Sequence, residues 1–368
     1  MPAIDAWGFV CSIWVLCGLV QLYFWLRVFA PLIWHRSAHD PDAPPVSVII
    51  CAHRLTAQLP ELLGTLRNQD YPQYEVILVN DGGIAGLSTL VSQSGYPVRE
   101  VVLHREEKHA PGKKGALARG IAAATYDWLL LTDADCQVSQ AWIGRMVSCA
   151  GGGHQLVLGF GPLMRAPGLA VLLARFDNLM IGMQYLGLAL AGRPYMGVGR
   201  NLLYHRSLYD QAGGFSDHAD VASGDDDLFV QAVANRHNTA ICLHRDSVVW
   251  SPAEQTLVDL LYQKRRHLST ASRYRGGVKR GLALFGATLI VWWLGALLLA
   301  GFDPSQTFIV IAAAGGLIQW AVFAGVANKL KVPGLSLWFV PVSLLYAVFL
   351  LVQGILVLLG PPRTWRRS

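Results

Sequence analysis

The sequence predicts an α/β domain of alternating strands and helices, carried between one N-terminal and several C-terminal membrane helices. Three observations lead there. Apolar runs long enough to cross a bilayer stand near both ends of the chain, short β-branched runs alternate with helical periodicity between them, and those strands stop at polar residues suited to a ligand. Composition agrees with this division. Of 368 residues, 53% are hydrophobic and 15% charged, which is too apolar for an ordinary soluble domain. That length holds one medium domain plus a few membrane helices, and excludes two large soluble domains. The net charge of +6 points to a membrane surface and not to nucleic acid. Its basic residues gather beside apolar spans, in Lys264 to Arg280 and Arg363 to Arg367, where anionic headgroups would meet them. The six cysteines, Cys11, Cys17, Cys51, Cys136, Cys149 and Cys242, contain no C-x-x-C pair, so neither a disulfide framework nor a zinc site follows.

From Trp7 to Trp34 the chain is almost wholly apolar, broken only by Gln21 and Arg27, and it is long enough for about 30 Å of hydrocarbon. No basic start or small-residue cleavage site marks it for removal, so residues 1–34 read as a retained anchor. Asp5 precedes the run and Arg36 follows it, with Trp7, Trp25 and Trp34 expected at the interfaces. The basic flank puts the downstream domain in the cytosol. The polar, Pro-rich stretch His35 to Pro45 marks a boundary, and the α/β domain is expected over residues 46–275. Val46 to Cys51 predicts a first strand, Leu59 to Asn68 a helix, and Glu75 to Val79 a second strand ending at Asn80-Asp81-Gly82-Gly83. Val98 to Leu103 reads as a third strand, Gly115 to Ala124 as a helix, and Trp128 to Thr132 as a fourth strand ending at Asp133-Ala134-Asp135. The apolar stretch Leu156 to Val198 is too interrupted to span. It fits an amphipathic helix in the headgroup plane, a wall of an acceptor pocket, or an ordinary core helix. Residues 281–360 hold three further candidate spans, Leu282 to Phe302, Thr307 to Ala327 and Leu335 to Leu359, which makes four in all. A basic loop at Asn328 to Lys331 suits the cytosolic side. A full final crossing would then leave Arg363, Arg366 and Arg367 outside, against the charge bias.

Open α/β sheets bind ligands beyond the carboxyl ends of their strands, so chemistry is sought there. Asp133 and Asp135 emerge past the fourth strand with one small residue between them. Two carboxylates so placed suit a hard divalent cation, Mg²⁺ or Mn²⁺, whose shell phosphate oxygens can complete. Asp81 ends the second strand beside two glycines that let backbone approach a ligand, although such a string is also a common turn signal. Lys113 and Lys114 precede a helix, where a lysine can meet phosphate or simply be solvated. Asp225, Asp226 and Asp227 open another helix. Capping and the helix dipole account for one or two of them, and a general base, its pKa raised by its crowded neighbours, accounts for another. Gln263, Arg266 and His267 lie just before the C-terminal spans, as a basic membrane-proximal patch or as a diphosphate clamp.

Several segments in this order resemble the family 2 glycosyltransferases. They are Val46 to Ile50 with Gln69-Asp70-Tyr71-Pro72, Glu75 to Asp81, Lys113 to Leu117, the D-x-D, and Gly224 to Leu228. The resemblance covers Val46 to about His267 and implies a GT-A (Rossmann-like) catalytic domain. Ser223 to Val230 followed by Gln263 to Thr270 is similar to a membrane-bound bacterial subgroup with one N-terminal and several C-terminal spans. The resemblance further implies an inverting sugar transfer from a nucleoside-diphosphate sugar, a UDP-sugar first among the donors, to a lipid-linked or polysaccharide acceptor at the inner membrane. By that resemblance Ala52, Asp81, Lys113, Lys114, Asp133, Gln263, Arg266 and His267 would bind the donor, Asp135 with Asp133 the metal, and Asp225 or Asp226 would act as base. His267 stands where the Q-x-x-R-W motif has tryptophan, and Arg54 and Leu55 replace an asparagine and a glutamate. These replacements also admit a membrane scaffold that keeps the nucleotide-binding fold without activity.

Overall fold

The computed structural model describes residues 6–37, 42–93, 95, 98–107, 112–221, 223–302 and 306–358. The expectations placed on Asp5, Leu359, Arg363, Arg366 and Arg367 fall outside the described residues. The chain forms two compact units. One comprises His35–Ala166 and Leu188–Ala253, the other Met1–Trp34, Pro167–Gly187 and Glu254–Ser368.

The first unit is built on a seven-stranded sheet: β1 (Val46–Ala52), β2 (Tyr74–Asp81), β3 (Val98–Leu103), β4 (Trp128–Asp133), β5 (Leu156–Leu158), β6 (Leu202–His205) and β7 (Thr239–Ile241). Their order across the sheet is β3-β2-β1-β4-β6-β5-β7. The strands β1 to β4 are parallel, and β6 runs antiparallel to both β4 and β5. The alternation read from the sequence is therefore present, with β3 as expected, β1 and β4 one residue longer and β2 three residues longer, so that Ala52, Asp81 and Asp133 are the last residues of their strands. The chain lays down β1, β2 and β3 in one direction and then places β4 on the other side of β1. That reversal opens a crevice outside the carboxyl ends of β1 and β4, the place where open α/β sheets bind ligands.

Val46, Val48, Ile49 and Ile50 of β1 are fully buried, as are Val76 to Val79 of β2. Such unbroken apolar runs are what a sheet covered on both faces requires. The helix Lys114–Ala123 lies very close to that sheet because of Gly120. A Cβ at Gly120 would stand 2.6 Å from Ile49 Cγ2 and 2.9 Å from Val79 Cγ2. This approach fixes the helix and delivers its N-terminal lysines to the rim of the sheet.

Among the described residues, the second unit contains four helices long and apolar enough to cross a membrane: Trp7–Trp34, Gly276–Phe302, Thr307–Lys329 and Pro333–Leu356. They match the four expected spans. Gln21, which interrupts the first apolar run, is fully buried and donates to Phe285 O at 3.0 Å and Thr288 Oγ1 at 2.8 Å. Its own oxygen accepts from Trp25 Nε1 at 3.2 Å. Trp25 is thus not an interfacial anchor: it is 1% exposed, drawn inward because its indole N–H needs a buried acceptor. Trp34, 72% exposed, is free to take the interfacial role.

The stretch Leu156 to Val198 resolves into β5 and the helix Leu169–Leu190, whose Val171, Phe176, Met180 and Met183 are buried. It is a core helix, and up to Gly187 it belongs to the unit of apolar helices. Phe176 stacks on Phe323 with ring centroids 5.0 Å apart. Asp177, 2% exposed, forms an ion pair with Lys264 and accepts from Tyr346 Oη at 3.0 Å. The expected catalytic stretch 46–275 is accordingly divided, since residues from Glu254 onward also join this unit.

Candidate active site

The site of the sheet unit forms at the ends of β2, β1 and β4. Register pairs Ala52 with Asn80 and Cys51 with Asp133, so the three strand ends lie side by side. Asn80 shapes the rim: its Nδ2 donates to Glu100 Oε1 at 2.8 Å, and its Oδ1 accepts from Ile84 N at 2.7 Å. The loop between carries Gly82 at φ 103° and Gly83 at φ 68°, left-handed conformations that glycine adopts without a Cβ clash. Asp81 therefore projects from a strand end onto a turn that leaves room beside it.

At the end of β4, Cys136 N donates to Asp133 O at 3.1 Å, which folds Asp133-Ala134-Asp135 into a tight turn. Thr56 Oγ1 donates to Ala134 O at 2.7 Å and ties the loop after β1 to that turn. Ligand atoms of Asp133, Asp135 and Cys136 lie within 4.8 Å of one another. Burial raises the Asp135 pKa above the usual carboxylate range, and the charge of Asp133 raises it further, while Arg200 and Lys113 oppose them. A cation between two carboxylates held this close would relieve the repulsion that raises Asp135. Their oxygens fit a hard divalent ion. Burial and both aspartates push the Cys136 thiol up, and its soft sulfur suits such a hard ion less well than the carboxylate oxygens do.

Lys113 supplies one cation already. It forms an ion pair with Asp133; burial pushes its pKa down, but Asp133, with Cys51 and Asp225, pulls it well above the usual lysine value. Lys114, the next residue, is fully buried and points elsewhere, donating to His218 O and, at 2.9 Å, to Val221 O.

Asp225 and Asp226 have different surroundings. Asp226 is the N-cap of the helix Asp227–Val233: one oxygen accepts from Asp227 N at 2.8 Å and the other from Gly199 N at 2.9 Å. Its pKa is pushed up to about 7 by burial and by the charges of Asp225 and Asp227. Asp225 is also raised, by burial first, with Lys113 opposing and Asp133 adding to the rise. One thiol registers the whole group. Cys51, pushed up to about 12 by burial, feels Lys113, Asp133, Asp225 and Asp81 in turn. Residues far apart in sequence are thus neighbours around the end of β1.

Residues 47–212 match the family model described as "Glycosyl transferase family 2". The chain carries a family 2 glycosyltransferase domain. It is 22% identical over 129 residues to a poly-β-1,6-N-acetyl-D-glucosamine synthase of Staphylococcus epidermidis, covering 34% of this chain and 30% of that protein. It is 31% identical over 126 residues to an undecaprenyl-phosphate 4-deoxy-4-formamido-L-arabinose transferase of Aeromonas hydrophila, covering 32% and 37%. The chain thus aligns with about a third of the length of these relatives. Among solved structures, the mannosyltransferase PcManGT from Pyrobaculum calidifontis, in complex with GDP-Man and Mn²⁺, superposes with a TM-score of 0.56 at 17% identity, covering 92% of this chain and 98% of that one. The fold is GT-A.

The glycosyltransferase domain's sheet unit brings Ala52, Asp81, Lys113, Asp133, Asp135 and Asp225 to one rim. Gln263, Arg266 and His267 stand on the helix Leu257–Leu268, in the unit of apolar helices. There Arg266 Nη2 lies 3.1 Å from His267 Nε2, and Gln263 donates to Glu254 Oε1 at 2.9 Å. Three residues of the rim carried no sequence signal: Cys51, Gly199 and Arg200. Gly199 gives its N–H to Asp226, a contact between residues far apart in sequence that no local pattern announces.

Proposed function

We propose that the chain is an inverting, metal-dependent transferase. It moves a sugar from a nucleoside-diphosphate sugar, a UDP-sugar first among the candidates, to a lipid-linked or polysaccharide acceptor at the cytosolic face of the inner membrane. The observation that supports this most directly is the convergence of Asp81, Lys113, Asp133 and Asp225 around Cys51, with Asp135 beside Asp133. Each carboxylate has a distinct task. Asp81, beside the open glycine turn, binds the nucleoside. Asp133 and Asp135 would hold Mg²⁺ or Mn²⁺, which would supply positive charge against the diphosphate. Lys113 orients Asp133 and meets a diphosphate oxygen.

Asp225 takes the proton. The acceptor oxygen attacks the anomeric carbon on the face opposite the diphosphate, its O–H bond breaks toward the Asp225 carboxylate, and the sugar–phosphate bond breaks as the new glycosidic bond forms. One base suffices for a single displacement, and no covalent sugar intermediate forms. A carboxylate held above its usual range is closer to the pKa that general-base catalysis favours near neutral pH. Asp226 is committed to Gly199 N and Asp227 N and serves to aim the loop.

Four apolar helices favour an acceptor delivered at the membrane, and the relatives named as a polysaccharide synthase and an undecaprenyl-phosphate transferase favour the same classes. The basic flank after the first span supports a cytosolic site. The test is donor screening of the purified full-length protein with Mn²⁺ or Mg²⁺ and UDP-glucose, UDP-N-acetylglucosamine or GDP-mannose. Release of nucleoside diphosphate that disappears in Asp135→Ala is the expected result. Silence with every donor, alongside retained nucleotide binding, would instead leave the inactive scaffold.

A further inference from the structure

We infer that Lys114 is a positioning residue that holds the loop carrying the general base, and is not itself a ligand of the donor. The inference rests on the reading of Asp225 as base. Its starting point is that two consecutive lysines diverge. Lys113, the N-cap of the helix Lys114–Ala123, reaches Asp133. Lys114, the first residue of that helix, is 0% exposed and donates to the carbonyls of His218 and Val221.

A buried ammonium is unfavourable unless its protons find acceptors. Here two of the acceptors are the backbone oxygens of His218 and Val221, which precede Gly224 and Asp225 in the chain. Val221 lies four residues before Asp225. The helix bearing both lysines is pressed onto β1 and β2 at Gly120 and cannot shift without displacing Ile49 and Val79. One rigid element therefore grips the metal-binding carboxylate with one lysine and the base-bearing loop with the next. The separation between Asp133 and Asp225 is set through the helix. His218 joins the same cluster: it is 6% exposed, and its pKa is lowered by burial and by the Lys114 charge.

The consequence is a particular kinetic signature. A donor ligand lost from the site weakens donor binding, whereas a loosened base leaves donor binding intact and slows the chemical step. Misplacement of a reacting group by about 1 Å can cost on the order of 100-fold in rate.

The experiment uses full-length Lys114→Met, Lys114→Gln and Lys114→Arg. Methionine keeps the apolar stem without donors, glutamine can satisfy one carbonyl, and arginine can satisfy both. Amide hydrogen exchange across residues 216–221, read without substrate, is expected to be fastest in Lys114→Met, intermediate in Lys114→Gln and near wild type in Lys114→Arg. With a donor that wild type turns over, kcat should follow the same order, falling roughly 10- to 100-fold in Lys114→Met, while donor KM stays within about twofold. If Lys114→Met does not fold, the Gln and Arg pair carries the comparison. Unchanged exchange across the series overturns the inference, as does a donor KM raised tenfold at unchanged kcat. Should no donor be turned over by any form, the exchange arm still decides the role of Lys114, and the failure belongs to the reading of the site as a transferase.

Discussion

The sharpest test of this site is the contrast between two adjacent carboxylates, Asp225→Asn against Asp226→Asn. Asp226 accepts from two backbone N–H groups, Gly199 at 2.9 Å and Asp227 at 2.8 Å. An asparagine has one carbonyl oxygen for those two donors, and its NH₂ then faces an N–H. One hydrogen bond is lost and its buried N–H left unsatisfied, a cost of about 1–3 kcal/mol, and relief of repulsion from Asp225 and Asp227 offsets part of it. A net loss of about 1–2 kcal/mol follows, or roughly 2–8 °C in melting temperature for a domain of this size. Turnover in the folded fraction should fall only modestly. Asp225 is raised by burial, so its neutral replacement removes an unfavourable buried charge and leaves the protein at least as stable. Turnover should nevertheless fall by about 10²–10⁴, or about 3–5 kcal/mol of barrier. The assay pairs nucleoside-diphosphate release with a thermal melt of the same preparation. An active Asp225→Asn beside a dead but folded Asp226→Asn would refute the assignment.

Three further outcomes follow from the same geometry. For pH, a base raised above the usual carboxylate range must lose its proton to work, so kcat/KM should climb with pH along a limb above that range. Asp225 and Asp226 titrate jointly, and a pH–rate profile measures the limb. Stability runs the other way: Asp226 holds its proton up to about pH 7 in the fold but only to about 3.9 in the unfolded chain. Its contribution is therefore full below the lower value and lost as pH rises through the upper one, which melts of wild type and Asp226→Asn across pH 4–8 would show as a slope that the variant loses. Gly120→Ala places a methyl 2.6 Å from Ile49 Cγ2 and should destabilise by about 1–3 kcal/mol, read by a melt. Lys264→Met strips Asp177, 2% exposed, of its ammonium and should cost about 3–5 kcal/mol, with Lys264→Met/Asp177→Leu recovering much of it.

How much of this was legible in the chain depends on the range over which each signal acts. The strands β1, β2 and β4 were readable because each holds an apolar run, residues 48–50, 76–79 and 129–131, and β2 and β4 close on an aspartate, while β3 showed itself through residues 101–103. The strands β5, β6 and β7 are three or four residues long; their pairing comes from partners distant in sequence, so no window holds enough of it. The helix Leu169–Leu190 was ambiguous for a related reason. Asp177 looked like an interruption of an apolar stretch, yet it is satisfied by Lys264 and Tyr346, whose places along the chain give no hint of the contact. The aspartate triplet shows where the limit lies. Three acids at a helix start announce that capping will use one or two of them, but which one caps is decided by Gly199, whose N–H takes Asp226 from the far side. Capping and catalysis ask for the same residue type at the same place, and only the third dimension separates the carboxylate whose oxygens are already occupied from the one that faces Lys113 and Asp133.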